Sequence, residues 1–391
     1  MIQIHNPIIS SDDIVRPTHV EISLTRLSEN FRAIQRRVAP AKVLVTLKAN
    51  AYGHGLVRVA QLMQELGADY LGVAFLEEGI LLRESGITMP ILAQGAIMEN
   101  QIPLYLAHGL TITASSVEKL SLIETAARQT GIQAKIHLKI DTGMERIGVH
   151  YYNAGALFEE ALKCEHCLVE GVYSHLANSD LTDLAYTRTQ LARFNEALAF
   201  YEERGLPMPA RHIANSGAIL QLPESYFEMV RAGILLYGLY PAAETPRTVT
   251  VRPALTWKSR VVYYKVVKPG HPIGYGSTWQ ADEMVRVVTL PVGYGDGYFR
   301  ALSNKGHVII RGKRYPVVGS ISMDQMTVNI GWETAYNGDE VILLGEQDGE
   351  MITADDLAVL AGTIPYEILT NINTRVPRIY VEEKSSTSLR S

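Results

Sequence analysis

Residues 43–55 read Val-Leu-Val-Thr-Leu-Lys-Ala-Asn-Ala-Tyr-Gly-His-Gly. The apolar and largely β-branched first half predicts a buried strand, and a helix pattern follows from Leu56 to Leu66. Lys48 stands where the strand ends, so we expect its amine at the mouth of a strand bundle. Desolvation there lowers the pKa of an amine and makes it a nucleophile toward carbonyl groups. The alternative interpretation is a lysine that merely marks the end of a strand.

Strand and helix patterns alternate from this stretch to about residue 240. Short apolar runs predict eight strands, at 43–47, 70–75, 91–94, 110–114, 135–140, 168–174, 212–214 and 229–232. Helix patterns lie between most of them, for example at 56–66, 77–83, 117–130 and 186–204. Such an α/β alternation predicts a parallel (β/α)8 TIM barrel. An open doubly wound sheet is the alternative, although no Gly-x-Gly-x-x-Gly motif follows the first strand.

The pattern changes after residue 245, where strands dominate and long helices become rare. The predicted strands are 254–267, 284–292, 306–310, 314–318, 326–330 and 340–344, with one helix at 354–361. This succession of short strands with few helices predicts a mainly antiparallel β domain. We therefore expect the barrel over residues 15–245, the β domain over 246–381 and a disordered tail over 382–391.

Composition and charge exclude several classes of protein. The chain has 391 residues, of which 47% are hydrophobic and 20% charged, as in an ordinary globular protein. The net charge of -5 gives no indication of a nucleic-acid or anionic membrane partner. No run of 18 apolar residues is present, and residues 1–16 do not resemble a signal peptide. We therefore expect no membrane association and a cytoplasmic location.

The only two cysteines form the motif Cys164-Glu165-His166-Cys167. A Cys-x-x-Cys motif can bind zinc or cycle a disulfide. The motif has no second ligand pair along the chain, and a closed zinc site needs four ligands. We interpret it as a structural loop and expect no metal.

Polar side chains stand at or just after the ends of the predicted barrel strands: Lys48, Lys139, Asp141, His175, Asn215, Ser216 and Arg231. In a barrel these ends converge on the face that carries catalytic groups. A nucleophilic lysine together with a glycine-flanked tyrosine, as at 274–276, suggests Schiff-base chemistry with acid and base groups. Pyridoxal phosphate supplies the electron sink that such chemistry needs. An arginine facing its ring nitrogen stays protonated, which leaves that nitrogen unprotonated and favours return of a proton over loss of a carboxylate.

The motifs taken in order resemble the alanine racemase family, from about residue 16 to residue 380. The first is Lys-Ala-Asn-Ala-Tyr-Gly-His-Gly at 48–55, and the second is Leu-Lys-Ile-Asp-Thr-Gly-Met-Glu-Arg-Ile-Gly at 138–148. Further on come Tyr-Ser-His-Leu at 173–176, Ala-Asn-Ser at 214–216 and Val-Arg-Ala-Gly-Ile at 230–234. The β-rich part adds the stretches around Tyr275 and Tyr294, Ser-Met-Asp-Gln at 322–325, Pro-Tyr-Glu at 365–367 and Arg-Val-Pro-Arg at 375–378.

The resemblance implies a two-base, pyridoxal-phosphate-dependent racemase that interconverts L- and D-alanine and supplies peptidoglycan synthesis. Lys48 carries the cofactor and acts as one base, and Tyr275 is the opposite base, contributed by the partner in a homodimer. The implied cofactor-binding residues are Lys48, Tyr52, Arg146, His175, Asn215, Ser216, Arg231, Gly233, Ile234 and Tyr366. Arg146, Met323 and Tyr294 are implied to bind the substrate. Lys139 matches a lysine that is carbamylated in many relatives.

Other functions remain open alternatives at this stage. A racemase of broader or different specificity, such as a serine racemase, carries similar motifs. A non-catalytic pyridoxal-phosphate carrier resembles only the barrel, and an amino-acid decarboxylase of the same plan usually places an acidic residue where Arg231 stands. A non-enzymatic interaction protein does not explain why polar residues converge on one face. Two departures concern the entry corridor: Ser320 stands where relatives often have arginine, and Ser322 where many have cysteine.

Overall fold

The computed structural model describes residues 16–383, which form two compact units. One unit comprises residues 27–51 and 56–252. The described part of the other comprises residues 16–26, 52–55 and 253–383. The start of the chain, on which the expectation about a signal peptide rests, lies outside the described residues. So does the predicted disordered tail from residue 384 onward.

The first unit contains a nearly closed barrel of eight parallel strands. In spatial order they are Met229–Ala232, Lys42–Thr46, Tyr70–Val73, Ile91–Ala93, Thr111–Ala114, Ala134–Asp141, Cys167–Tyr173 and Ala210–His212. The last strand along the chain thus pairs with the first, with Arg231 opposite Leu44. On its other side, the Arg231 amide donates to the Ala214 carbonyl over 2.9 Å, just beyond the strand that ends at His212. The predicted (β/α)8 barrel is confirmed, and the open sheet is wrong because this hydrogen bond brings the two ends of the strand order together.

The helix Leu24–Val38 precedes the first barrel strand, and further helices connect the barrel strands. These span Leu56–Glu65, Leu76–Glu84, Ile102–Ala107, Val117–Thr130, Ala154–Ala161, Ala185–Glu203 and Ser216–Gln221. Local sequence fixes their ends. Ser116, for example, accepts the Lys119 amide at the start of one helix, and Gly131 ends that helix with φ of 68°. No helix between residues 16 and 383 has the length and apolar character that crossing a membrane requires.

The second unit is built on a mainly antiparallel sheet, as predicted. Its strand order is Tyr263–Val267, Val285–Leu290, Met326–Gly331, Lys313–Val318, His307–Ile310, Glu340–Gln347, Leu255–Arg260, His19–Ser23 and Arg378–Val381. Glu350–Ile352 pairs with Glu340–Gln347, and a small hairpin joins Pro272–Ile273 to Trp279–Gln280. Helices Ala354–Ala361 and Pro365–Thr370 complete the unit.

Two features of this sheet differ from the sequence expectations. The run 254–267 is two strands, because Leu255–Arg260 pairs with Glu340–Gln347 whereas Tyr263–Val267 pairs with Val285–Leu290. The strand His19–Ser23 is absent from the sequence prediction. It lies between Leu255–Arg260 and Arg378–Val381, so both of its partners are more than 200 residues away along the chain.

Candidate active site

Lys48 lies two residues beyond the first barrel strand along the chain, at the carboxyl end of the barrel. The residue is exposed, yet protein around its amine lowers the pKa of Lys48. The positive charges of Arg146 and Arg231 lower that pKa further, and the Glu78 carboxylate partly offsets them. The amine therefore carries a larger neutral, nucleophilic fraction than a surface lysine does.

The backbone immediately after Lys48 makes a left-handed helical turn. Ala49, Asn50, Ala51 and Tyr52 all have φ between 51° and 55°. A side chain with a Cβ atom is disfavoured in this region by about 1–2 kcal/mol per residue. Two side-chain contacts hold the turn: Glu78 accepts the Ala49 amide at 2.7 Å, and Asn50 accepts the Leu56 amide at 2.8 Å. The candidate nucleophile is thus attached to a strained and tightly held segment.

Arg231, in the last barrel strand along the chain, is buried, and both terminal nitrogens of its guanidinium group make hydrogen bonds. Its Nη1 donates to the His212 carbonyl and contacts His212 Nδ1, both at 3.0 Å. Its Nη2 donates to the carbonyls of Ser174 (2.7 Å) and Ile213 (3.1 Å) and lies 3.1 Å from His175 Nδ1. Burial lowers the pKa of Arg231 to about 10, which is still well above neutral pH, so the side chain remains a cation.

The tautomers of the neighbouring histidines follow from these contacts. Because arginine only donates, Nδ1 of His175 and Nδ1 of His212 must accept and carry no proton. His212 then donates from Nε2 to Nδ1 of His137 over 2.9 Å. Burial, followed by nearby positive charge, lowers the pKa of all three, to about 3 for His137. We refer to Arg231, His137, His175 and His212 as the buried histidine network; its histidines are neutral and its charge is on the arginine.

Lys139 is almost fully buried in the strand Ala134–Asp141. Its Nζ lies 4.1 Å from the centroid of the Tyr173 ring. Burial, and then the charges of Arg231 and Arg146, hold the pKa of Lys139 well below its ordinary value. A neutral amine in this position can react with carbon dioxide, because only the unprotonated form is a nucleophile.

Asp141 shapes the loop that carries Arg146. Its Oδ1 accepts the amides of Gly143 (2.7 Å) and Met144 (2.9 Å), and its Oδ2 accepts the Arg146 amide at 3.1 Å. Burial raises the pKa of this carboxyl, but the amide donors outweigh that effect and leave the pKa lowered. The carboxylate therefore fixes the backbone of Arg146, whose side chain is exposed.

Four basic side chains of the barrel unit act on one histidine. The pKa of His175 is lowered first by burial and then by Arg231, Lys139, Arg146 and Lys48, in that order. Three residues predicted from separate strand ends, Lys48, Lys139 and Arg231, thus act on His175 together with Arg146 from the loop that Asp141 shapes. A site with this excess of positive charge suits an anionic ligand.

The predicted phosphate-binding residues of the barrel unit also lie together. The Ser216 hydroxyl accepts the amides of Gly233 (3.0 Å) and Leu235 (3.3 Å), and Ile234 begins a short 3-10 turn. The side-chain oxygen of Asn215 caps the helix Ser216–Gln221 and accepts the Ser179 hydroxyl. The structure therefore gives Asn215 a local structural role beside this cluster.

The other predicted site residues belong to the β-rich unit. Tyr275 is 74% exposed and lies in a turn. Its backbone carbonyl accepts a hydrogen bond from the Ser320 hydroxyl at 2.8 Å. Tyr294 and Met323 are also exposed. Backbone hydrogen bonds join their segments, since the Tyr294 amide donates to the Ser322 carbonyl and the Gly295 amide to the Met323 carbonyl. Ser320, which departs from the family pattern, thus supports the backbone of Tyr275.

Tyr52 and Tyr366 form a separate pair in the β-rich unit. Their ring centroids are 6.1 Å apart with an interplanar angle of 49°. Tyr52 is buried, which raises its pKa, so its hydroxyl keeps its proton and can donate a hydrogen bond.

Sequence reasoning missed three residues that organise the site. His137 and His212 lie inside strands, where a single histidine resembles an ordinary core residue. Glu78 accepts amides from Ala49 and Ala74 and so connects the turn after Lys48 to the helix Leu76–Glu84. An acid three residues after Phe75 is a recognisable capping signal, but it does not predict the contact with Ala49.

Comparison with known proteins identifies relatives over nearly the whole chain. The family model "Alanine racemase, N-terminal domain" matches residues 22–241, and "Alanine racemase, C-terminal domain" matches residues 254–380. The alanine racemase of Symbiobacterium thermophilum is 45% identical over 94% of this chain and 98% of its own. The solved alanine racemase of Clostridium difficile 630 has a TM-score of 0.90 at 37% identity, covering 95% of this chain and 97% of its own. A histidine racemase of Leuconostoc mesenteroides subsp. sake superposes with a TM-score of 0.86 at 27% identity, covering 94% of this chain and 99% of its own.

Proposed function

The chain belongs to the alanine racemase family and interconverts L- and D-alanine, and we propose that it does so with pyridoxal phosphate bound to Lys48. Alanine is favoured as the substrate over another amino acid because the alanine racemases named above are 37–45% identical to this chain, whereas the histidine racemase is 27% identical to it. The observation that carries the cofactor proposal is the convergence of four basic side chains around His175, two of them lysines with a lowered pKa.

The residues present fit the cofactor. Lys48 offers an amine with a larger neutral fraction than that of a surface lysine for a covalent bond to the aldehyde. Among the described residues, the hydrogen bonds of Arg231 are all made by Nη1 and Nη2, which leaves its Nε–H to meet the ring nitrogen. Within the barrel unit, Ser216 and the amides of Gly233 and Ile234 are the proposed groups that hold the phosphate. Tyr52 and Tyr366 of the β-rich unit remain predicted cofactor-binding residues. When bound, pyridoxal phosphate supplies the electron sink that lets the α-proton leave.

Racemisation needs a proton carrier on each face of a planar carbon centre. We propose Lys48 for one face and Tyr275 for the other, with Arg146, Tyr294 and Met323 on the substrate. Each general base contributes typically about 10²–10⁴ in rate, so loss of either one blocks useful turnover.

We further propose a homodimer in which the partner supplies Tyr275 to complete the site of Lys48. The exposure of Tyr275, Tyr294 and Met323 supports this, because residues that complete the site of another subunit must be at the surface. A cytoplasmic location and delivery of D-alanine to peptidoglycan are part of the same proposal, as the family resemblance implies.

Reduction of the purified protein with borohydride tests the cofactor proposal. We expect an absorbance band that borohydride abolishes, and a peptide in which Lys48 carries the reduced cofactor. Lys48→Ala should lose both the band and racemisation in either direction. Lys42→Ala, at the exposed start of the same strand, is the matched control and should keep both. A modified lysine other than Lys48, or normal turnover by Lys48→Ala, contradicts the assignment.

Mixing of two inactive variants tests the shared site. Heterodimers of Lys48→Ala with Tyr275→Phe chains have one site with both defects and one with neither, so activity should partly return. No recovery after verified subunit exchange argues for sites completed within one chain.

A further inference from the structure

The Cys-x-x-Cys motif acquires a third potential ligand from the fold. Cys164 lies in the loop that follows the helix Ala154–Ala161, Cys167 is the first residue of the strand Cys167–Tyr173, and both are free thiols. Glu124 reaches them from the helix Val117–Thr130, about 40 residues earlier in the chain. The two sulfur atoms and a Glu124 carboxylate oxygen all lie within 4.8 Å of one another.

That separation is close to what a tetrahedral metal ion requires. A zinc ion with bonds of about 2.3 Å to sulfur and about 2.0–2.2 Å to oxygen places its ligand atoms roughly 3.5–3.8 Å apart. The ligand atoms would need to approach one another by at most about 1.3 Å, the difference between 4.8 Å and the roughly 3.5 Å that a zinc ion requires. All three residues are partly open to solvent, which gives an ion a path of entry.

Other contacts hold the Glu124 carboxylate in place beside the thiols. It accepts the amide of Glu165 at 3.2 Å and the amide of His166 at 3.0 Å. His166 Nδ1 lies 2.7 Å from Oε1 of the same carboxylate. Metal-ligating carboxylates are commonly oriented in this way by hydrogen-bond donors behind them.

We propose that Cys164, Cys167 and Glu124 bind one Zn²⁺ ion, with water as the fourth ligand and His166 as a positioning residue. Two thiolates select a soft ion such as zinc over magnesium or calcium. The His166 carbonyl accepts the amide of Ala134, the first residue of the strand Ala134–Asp141. The site is therefore at the amino-terminal ends of the barrel strands, opposite the end that carries Lys48, and its role is to tie a helix to the barrel.

Zinc binds the thiolate form of cysteine, so metal binding here must release two protons, one from each thiol. The affinity for zinc should therefore fall as the pH decreases.

Titration of the reduced full-length holoenzyme with Zn²⁺, in competition with a chromophoric chelator, measures the site. We expect one Zn²⁺ per chain, and Co²⁺ in its place should show a thiolate-to-metal charge-transfer band with the visible bands of tetrahedral geometry. Loss of an outer-shell partner already costs a metal site about 10–100-fold in affinity, so Glu124→Gln, which removes a ligand, should lose at least about 10-fold, and the double variant Cys164→Ser/Cys167→Ser more. Glu165→Gln, an exposed acid in the same loop, is the matched control and should bind as the wild type does.

Three results would overturn the proposal. One is equal zinc affinity in the wild type and the double variant. Another is a Co²⁺ spectrum without a thiolate band. The third is an unchanged affinity in Glu124→Gln, which would remove the third ligand. Thermal unfolding gives an independent measurement: zinc should raise the melting temperature of the wild type but not of the double variant.

Discussion

The left-handed turn after Lys48 leads to a prediction in which a glycine stabilises the protein at one site and destabilises it at another. Ala49 is exposed and has φ of 54°, a region that costs a residue with a Cβ atom about 1–2 kcal/mol. Ala192 is also exposed, but it lies inside the regular helix Ala185–Glu203. There, alanine is favoured over glycine by about 1 kcal/mol.

Both substitutions, Ala49→Gly and Ala192→Gly, remove one methyl group and add the same freedom to the unfolded chain. The added conformational freedom stabilises the unfolded chain by about 0.5–1 kcal/mol in each variant, and this contribution cancels when the two variants are compared. The difference between them therefore isolates the conformational preference of the two sites. We expect Ala49→Gly to have a free energy of unfolding about 1–2 kcal/mol above that of Ala192→Gly, and equal to or above that of the wild type.

Urea unfolding at one fixed protein concentration measures this difference, and racemisation rates in both directions are measured on the same samples. A relaxed turn holds the Lys48 amine less firmly, so kcat should fall in Ala49→Gly while stability does not. Ala192→Gly should show the opposite: lower stability with normal kcat. If Ala49→Gly destabilises the protein as much as Ala192→Gly does, the turn stores no strain and the reasoning fails.

Three further predictions concern protons at the site. The histidines of the buried histidine network are neutral when folded but protonated below about pH 6.5 when unfolded, so stability should fall with pH below that value, by about 1.4 kcal/mol per pH unit for each. Urea unfolding at several pH values checks this, and His137→Gln should reduce the slope by one proton. The lowered pKa of Lys139 enlarges its neutral fraction, so Lys139 should form a carbamate with carbon dioxide, releasing one proton; ¹³C-bicarbonate should give a carbamate resonance in the wild type that Lys139→Met lacks. Tyr275→Ala should block α-deuterium exchange from L-alanine far more than from D-alanine, whereas equal losses would make Tyr275 a positional residue.

The fold could be predicted well where local patterns decide it. Met229–Ala232 and Val117–Thr130 have the bounds that the sequence predicts, because an apolar run or a cap at each end fixes them. The strand Ala210–His212 begins two residues before its predicted position at 212–214. The prediction is shifted because Ile213 and Ala214, which follow the strand, are as apolar as strand residues. His19–Ser23 escapes prediction because its partners are set by the closure of the whole sheet and not by its own short sequence.

The site is predictable in its individual residues but not in their connections. Lys48 and Arg231 can be recognised in the sequence because charged residues at the ends of apolar strands indicate a functional site. His137 and His212 are 75 residues apart along the chain, and only the pairing of barrel strands brings them within 2.9 Å. Similarly, the Cys-x-x-Cys motif gives no hint of Glu124, because its approach depends on how one helix packs on the barrel.

The buried histidine network bears on which reaction the site favours. Arg231 stays protonated at neutral pH, with a pKa of about 10, and its neighbours Ser174, Ile213 and His212 accept from it through carbonyl oxygens that cannot take a proton. The two imidazoles that contact it are neutral acceptors whose pKa values are too low for them to take its proton either. The ring nitrogen of the proposed cofactor, if it meets Arg231, would therefore receive a hydrogen bond but no proton, unlike one that meets a carboxylic acid. Because an unprotonated ring is the weaker electron sink, such a site would favour quick return of a proton to carbon. This supports racemisation over decarboxylation or transamination.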